Sequence, residues 1–250
     1  MDTHAIRRAA RLLAKAWQSG ERLKRLPPNA RPQNATEAYS IQLALIEGIG
    51  DSLAGWKVAI SPEHGLMMGI LVHSRVFESG GQVPSKPFSQ LGVEAEIAFR
   101  FDVSMPPRNL AYQRADVAAS VTALPAIEIV DTRFTTYDGT PVIERAADFM
   151  SNGGLVTGRA RGDWRSFDLE NLEASVAIDG VEIVRRVGGH ASRNPLIPTI
   201  ALVNQLRLSE GVPAGTMVTT GTYTGLEYAR KESAVRASFE GFGDANFRFV

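Results

Sequence analysis

The 250-residue chain has no cysteine. A disulfide framework, a zinc–thiolate site and a thiol nucleophile are therefore excluded, and a reducing compartment is compatible with the composition. Neither sign of charge is in excess: 27 Lys plus Arg stand against 27 Asp plus Glu. Nothing in that balance argues for nucleic acid or an anionic membrane as a partner. No apolar run approaches the length needed to cross a bilayer. The four histidines, His4, His64, His73 and His190, lack a metal-binding spacing such as HExxH. There is no G-x-S-x-G elbow, and the glycine pairs at 80–81, 153–154 and 188–189 fit neither a Walker nor a dinucleotide-binding pattern, so no nucleotide cofactor is expected. No fixed-period repeat is visible, which argues against a solenoid or propeller. With 44% hydrophobic and 22% charged residues the chain is an ordinary globular one, long enough to bury a sizeable core.

What the chain does have is three glutamates in two short β-type segments. Glu94 and Glu96 lie in Gly92-Val-Glu-Ala-Glu-Ile-Ala-Phe99, and Glu128 lies in Pro125-Ala-Ile-Glu-Ile-Val-Asp-Thr-Arg133. In a strand, residues i and i+2 project from one face about 6–7 Å apart. Glu94 and Glu96 then point together while Val93, Ala95 and Ile97 face a core. Two carboxylates about 5 Å apart repel by roughly 3 kcal/mol at an effective dielectric near 20, a repulsion that solvent screens or a cation reverses. Taken alone, Glu-x-Glu reads as the polar face of a half-exposed strand. Glu128 changes that balance, because it sits between Ile127 and Ile129 in a run apolar enough to be buried, where an unpaired carboxylate is costly. Three carboxylates without a thiolate suit a hard, oxygen-preferring cation such as Mg²⁺ or Mn²⁺.

Helical signals crowd the first fifty residues. Ile6, Ala9, Leu13 and Trp17 form a stripe at helical spacing. The Arg-bearing, acid-poor segment around them faintly resembles a mitochondrial transit segment, but docking against the protein body explains the stripe, and a cytoplasmic location is expected. Thr36 is placed to cap a second helix running to Gly48. From Gly55 onward strands dominate: Gly55–Ile60, Leu91–Phe101, Ala126–Thr132, Thr216–Thr220 and Ser233–Val250, the last turning at Gly241-Phe-Gly-Asp244. Leu172–Val187 reads as a hairpin turning at Asp179-Gly180. Helices are predicted over Tyr112–Leu124 and Pro195–Leu208. Strands and helices do not alternate regularly, so the fold class is α+β with a mixed or antiparallel sheet. Residues 1–54 form a helical cap within the same unit, since a ~50-residue piece without disulfides is marginal alone, and residues 55–250 form a β-rich catalytic body.

Gly55-Trp-Lys-Val-Ala-Ile60, the two glutamate segments and Thr219-Thr-Gly-Thr-Tyr-Thr-Gly225 occur in that order, preceded by Ala38-Tyr-Ser-Ile-Gln42. Together they resemble the 2-keto-4-pentenoate hydratase branch (2-keto-4-pentenoate and 2-oxohepta-3-ene-1,7-dioate hydratases) of the fumarylacetoacetate hydrolase superfamily, from about residue 35 to the C-terminus. The resemblance implies a mixed β-roll and a Mg²⁺ or Mn²⁺ ion held by Glu94, Glu96 and Glu128. It also implies that Lys57 reaches the active site and moves protons. By alternation Lys57 faces opposite to Trp56 and Val58, which an exposed strand lysine also satisfies. Backbone N–H groups at the turn around Gly221, with the Thr222 hydroxyl, are placed to receive a substrate carboxylate, and Ser61 joins them as a substrate-binding candidate. Ser151-Asn-Gly-Gly154 reads as a flexible turn resembling a pocket-lining segment. Asp131 and Arg133, two apart, read as an ion pair with each other.

Two departures from the family pattern stand out. Ala59 replaces a common glycine, and Leu66-Met-Met-Gly69 stands where Pro-Asp-aromatic-Gly is frequent, so an acid that could place water is missing and the wall becomes more apolar. The implied activity is hydration of an unsaturated 2-oxo (2-hydroxydienoic) acid to a 4-hydroxy-2-oxo acid in aromatic-compound catabolism. Decarboxylation of a 2-oxo-enedioate ranks second, acylpyruvate hydrolysis third, and a catalytically silent binding protein is the rival of another class. Among basic residues only Arg75 stands near enough in sequence to the departure to answer a second carboxylate. The expected partner is a small 2-oxo acid, with no nucleic acid or membrane. The family's assembly implies a homo-oligomer; Phe239, Phe242, Phe247 and Phe249 contribute either to that packing or to the protomer's own core.

Overall fold

The computed structural model describes residues 1–250 throughout. The amphipathic N-terminal segment forms α1 (Thr3–Ser19), capped by Asp2, whose carboxylate accepts the Ala5 N–H at 2.7 Å. The second helix, α2 (Ala35–Ile49), starts two residues earlier than the Thr36 signal suggests. Asn34 is the cap, accepting the Glu37 N–H at 2.9 Å. Asn caps at least as well as Thr, and Thr36 falls inside the first turn. Leu13 of α1 and Ile41 and Leu45 of α2 bury their side chains in a common apolar cluster.

Strand β1 (Leu53–Ser61) turns back into β2 (Gly65–Val72), and two short strands follow, β3 (Val76–Glu78) and β4 (Gly81–Val83). The first glutamate segment is β5 (Gly92–Phe101). The helix predicted over Tyr112–Leu124 is shorter, α3 (Arg114–Ser120), because Val121–Leu124 pair with Phe101–Ala98 and open β6 (Val121–Val130). Tertiary pairing of the β-branched Val121 and Thr122 overrides the helical pattern there. Next come α4 (Val142–Ala147), β7 (Asn152–Thr157) and the hairpin β8 (Glu173–Ile178) and β9 (Val181–Val187). Its turn residues Asp179 and Gly180 have φ of 52° and 81°, as a type I′ turn requires. Helix α5 (Leu196–Leu206) leads to β10 (Met217–Thr222), β11 (Glu227–Tyr228), β12 (Ala234–Phe239) and β13 (Gly243–Phe249).

The strands build two sheets. The larger runs β2-β1-β10-β5-β6-β7-β3, with β11 added to β5, and is mixed: β1–β10 and β3–β7 are parallel, the other pairs antiparallel. The smaller runs β4-β13-β12-β8-β9. Their inner faces share one core, in which Val93, Ala95, Ile97 and Phe99 of β5 meet Val235, Phe239 and Phe247. Phe239, Phe242, Phe247 and Phe249 are all at most 3% exposed, so they fill the protomer's own core. The helical layer of α1 and α2 covers the outer face through Met67 and Ile70 of β2 and Phe149. Every side chain pointing into the shared core leaves its strand neighbour pointing the other way, and that alternation presents Lys57, Glu94, Glu96 and Glu128 on the opposite face.

Candidate active site

Glu94 and Glu128 are direct cross-strand partners on β5 and β6, an arrangement that destabilises like charges. Glu96 is two residues further along the same face. Carboxylate oxygens of the three residues lie within 4.8 Å of one another. Lys57 sits on β1, three strands from β6. In a flat sheet that is about 14 Å between backbones, yet Lys57 Nζ lies 2.9 Å from Glu128 Oε2 and 4.0 Å from Glu94 Oε2. Curling of the sheet brings them together, and pairing of β10 with β5 is interrupted between Thr219 and Thr222 at this point.

The oxygens differ in how they are satisfied. Glu96 Oε2 accepts the Thr220 and Gly221 N–H groups at 3.0 Å each and the Thr219 hydroxyl. Glu128 Oε1 accepts Asn152 Nδ2 at 2.8 Å. Glu96 Oε1 is buried with no partner, and Glu128 Oε2 has only the Lys57 ammonium, without a well-directed hydrogen bond. Burial pushes the Glu128 carboxyl well above the ordinary glutamate range; Lys57 opposes this, and Glu96 and Glu94 add to it. Glu94 is raised by burial as well, with Lys57 opposing and Glu96 reinforcing. Burial alone would depress Lys57, but Glu128 and Glu94 outweigh it and hold the ammonium charged. All these directions have one origin, three carboxylates for one cation in a small buried volume. An orphaned buried oxygen and two protonation-prone partners fit a hard divalent cation, which would supply the missing positive charge. The residues fit a metal ion that prefers oxygen donors.

These groups line one cavity of about 360 Å³, within the usual size range of small-molecule sites. Its walls include Val58, Ala59, Met67, Ala146 and Met150, so the site is polar at one end and apolar along its sides. Ser61, Gly221 and Thr222 all line it. Their polar atoms already have partners within the chain, however. Ser61 Oγ accepts the Glu63 and His64 N–H groups at 3.3 and 3.1 Å. Thr222 Oγ1 accepts those of Thr224 and Gly225 at 3.1 and 3.0 Å, and the Gly221 N–H is turned toward Glu96. Gly221 has φ of 115°, a region closed to most side chains, and this aims its N–H at the carboxylate. Behind it, His190 Nδ1 accepts the Ser192 N–H at 3.1 Å, so the proton is on Nε2, which donates to the Thr220 carbonyl at 2.9 Å. Burial lowers the His190 pKa and keeps it neutral.

Of the two methionines at the departure, Met67 faces the cavity and Met68 packs toward the main core. Arg75 does not reach the site: its guanidinium stacks on Trp17 and Phe88, at 5.0 and 4.9 Å from the ring centroids. The segment Ser151–Gly154 is not a flexible turn. Its last three residues begin β7, and all four are buried. Before it, Phe149, Met150 and Ser151 have φ of 49°, 54° and 59°, three consecutive non-glycine residues in the left-handed region. Gly69 makes room for this turn; a Cβ there would lie 2.6 Å from the Phe149 carbonyl oxygen. Asp131 and Arg133 are not paired either. Past the end of β6 the strand alternation no longer governs them: Asp131 binds Arg22 at 3.0 Å, and Arg133 binds Asp148. Sequence reading missed Arg145, Tyr137, Asn152 and Thr219. No spacing announces the first two, which reach the cavity from α4 and the loop before it.

No family model matches the chain. It is 27% identical over 262 residues to the 2-keto-4-pentenoate hydratase of Burkholderia vietnamiensis strain G4, covering 100% of this chain and 99% of that one. It is 26% identical over 227 residues to a 4-oxalocrotonate decarboxylase of Pseudomonas putida, covering 86% and 85%. The solved structure of the 4-oxalocrotonate decarboxylase from Pseudomonas putida G7, complexed with magnesium and adipate, superposes with a TM-score of 0.87 at 21% identity, covering 100% and 99%. The likeness to that structure extends over the whole fold of two packed sheets. Over its full length the chain is similar to 2-keto-4-pentenoate hydratases.

Proposed function

We propose that the chain is a hydro-lyase that hydrates an unsaturated 2-oxo acid, taken up as its 2-hydroxydienoic form, to a 4-hydroxy-2-oxo acid. One observation carries the reading: three converging carboxylates, one with an orphaned buried oxygen, share a cavity with a single lysine ammonium. Full-length likeness to a 2-keto-4-pentenoate hydratase supports it. A magnesium or manganese ion held by Glu94, Glu96 and Glu128 would polarise the 2-oxo carboxylate and stabilise charge developing on the C2 oxygen.

The remaining steps fall to the chain's own side chains. Lys57 moves the proton that interconverts dienol and ketone, because its ammonium lies 2.9 Å from Glu128 and 4.0 Å from Glu94 in the cavity. With a cation beside it the ammonium becomes less favourable, which brings its pKa down toward the working range of an acid–base catalyst. Ala59 and Met67 keep bulk water from the conjugated carbons. Ser151 Oγ, buried without a partner on the same wall, holds the water that adds at C4. Asn152 and Thr219 fix two of the carboxylates from behind.

Decarboxylation of a 2-oxo-enedioate is the second reading, favoured by Met67 in place of an acid that would orient water and by the likeness to 4-oxalocrotonate decarboxylase. Turnover in ¹⁸O-water separates the two: label at C4 of a 4-hydroxy-2-oxo product is expected, and stoichiometric CO₂ from a 2-oxo-enedioate without such a product would overturn the assignment. We further infer a homo-oligomer in the cytoplasm. The edge strand β9 leaves Val181, Ile183 and Val187 exposed, and an uncovered edge of that kind calls for a second copy. A monodisperse monomer in light scattering at micromolar concentration would refute this.

A further inference from the structure

We propose that Arg145 anchors a second carboxylate in the cavity that the proposed metal ligands also line, so that the substrate is an unsaturated 2-oxo dicarboxylic acid rather than a monocarboxylic one. The inference rests on the reading of this cavity as a 2-oxo-acid site and adds the class of acid. Consecutive residues of α4 point in opposite directions. Glu144 turns away from the cavity to accept Arg25 Nε at 2.7 Å and the Leu26 N–H at 2.9 Å. Arg145 turns into it, among Tyr137, Val142 and Ala146.

The Arg145 guanidinium has no carboxylate within 4.0 Å, unlike the buried Arg133 and the partly buried Arg22, which each hold one. Its Nε is buried and makes no hydrogen bond. The one neighbour it does have is the Tyr137 ring, 4.2 Å from the guanidinium carbon to the ring centroid. Stacking of that kind uses the face of the guanidinium and leaves its in-plane fork of N–H donors free. A fork of this geometry matches one carboxylate in a bidentate contact. A buried unpaired donor is costly, so a site that leaves one open is built for an occupant that completes it.

Charge leads the same way. The carboxylates and Lys57 leave an excess of negative charge, which a divalent ion would balance. Arg145 adds an unmatched positive charge to the same cavity, stacked on Tyr137 and with no carboxylate partner of its own. A monocarboxylic dienoate would place its hydrocarbon end against this arginine and bury it unpaired. A dicarboxylic acid pairs both ends. Ser151, whose hydroxyl is buried without a partner, lines the same cavity as a further polar contact.

The test uses binding as well as turnover. Titration calorimetry on the Mg²⁺-loaded protein compares 2-oxoadipate with 2-oxohexanoate, which differ only in the distal carboxylate and lack the reactive alkene. The wild type is expected to prefer 2-oxoadipate by about ten- to a hundredfold, the range of a charged hydrogen-bonded contact. Arg145→Gln should erase most of that preference, and Arg145→Lys should restore only part, keeping the charge but not the fork. Because the readout is a ratio on one protein sample, a partial loss of folded material does not alter it; if Arg145→Gln does not fold, Arg145→Lys carries the comparison. Equal affinities in the wild type, or a preference that survives Arg145→Gln, would overturn the proposal. Turnover of 2-hydroxydienoates with and without a terminal carboxylate then separates the two readings. Hydration without discrimination defeats the Arg145 assignment and leaves the hydratase standing. An Arg145-dependent binding preference in a protein that hydrates neither acid supports Arg145 and defeats hydration.

Discussion

Two sets of buried charge lie within a few residues of each other along β6 and its continuation, and they are built on different terms. Past the strand's end, Asp131 accepts Arg22 at 3.0 Å together with the Ser89 and Gln90 N–H groups at 2.9 Å. Asp148 accepts the Thr132 hydroxyl and the Arg133 N–H at 2.8 Å, and Arg133 spends its other nitrogens on the Asn152 and Asp148 carbonyls. Each acid there has its own base. On the strands, Glu94, Glu96 and Glu128 share one lysine, and a buried oxygen goes without a partner. A complete network rigidifies a fold, whereas an incomplete one stores unfavourable electrostatics that only a ligand can relieve. The imbalance marks where a ligand belongs. The matched set, anchored to the left-handed turn at 149–151, holds the wall around it.

The sharpest way to break this contrast is to remove a carboxylate from the unbalanced set. Glu128→Ala should abolish divalent-metal-dependent turnover while leaving thermal unfolding of the metal-free protein at or above wild type, because a buried repulsion is relieved. Full activity in the variant, or in chelator-treated wild type, would refute the metal assignment. Next in size is Lys57→Met, expected to slow turnover by about 10²–10⁴-fold, the usual contribution of a positioned acid–base group. Metal and 2-oxo-acid binding should persist in calorimetry. Lys57→Arg should not rescue the rate, since guanidinium does not exchange protons near neutrality.

The matched set should respond in stability. Asp148→Asn leaves the buried Arg133 without its counter-charge, and denaturant unfolding should show a loss of about 3–5 kcal/mol. A loss as small as that of an exposed pair would remove the distinction drawn between the two sets. The smallest effect expected is a pH-dependent one on the metal-free protein. Glu94 and Glu128 titrate above the ordinary glutamate range because they are buried. Between the unfolded and folded pKa values the native state therefore holds more protons, so apo stability falls as pH rises through that window. Saturating Mg²⁺ should cancel the fall, adding about 2.7 kcal/mol at a hundred times its Kd, and the gain should shrink on acidification. A metal-induced shift in Tm that does not vary with pH across this window would contradict the proposed carboxylate ligands.

Much of this arrangement was legible before any coordinates. Alternation around Glu94, Glu96 and Glu128 separated core from site face because a strand has a period of two residues, and the Asp179-Gly180 turn declared its hairpin through local φ requirements. Reading failed where neighbours in space were distant in sequence. Val121–Leu124 looked helical until pairing with β5 claimed them. Asp131 and Arg133 looked like a pair because they are two apart, and the chain's departure from the strand sent them to Arg22 and Asp148 instead. Arg75, the one basic residue that sequence proximity offered to the cavity, stacks elsewhere. Arg145 occupies the wall, seventeen positions beyond Glu128, with nothing in its own segment to announce it.

The sequence by itself determined the α+β class, the face on which the three carboxylates project, and the absence of any thiol chemistry, since these follow from composition and from periodicities that act over a few residues. Only the tertiary structure decided that Lys57, three strands away in the sheet, touches Glu128, that the Gly221 N–H serves Glu96, and that Arg145 stands unpaired within the same cavity. The physical reason is that sheet curl, strand order and the left-handed turn at 149–151 are set by packing across the whole core, and those contacts have no local trace in the chain.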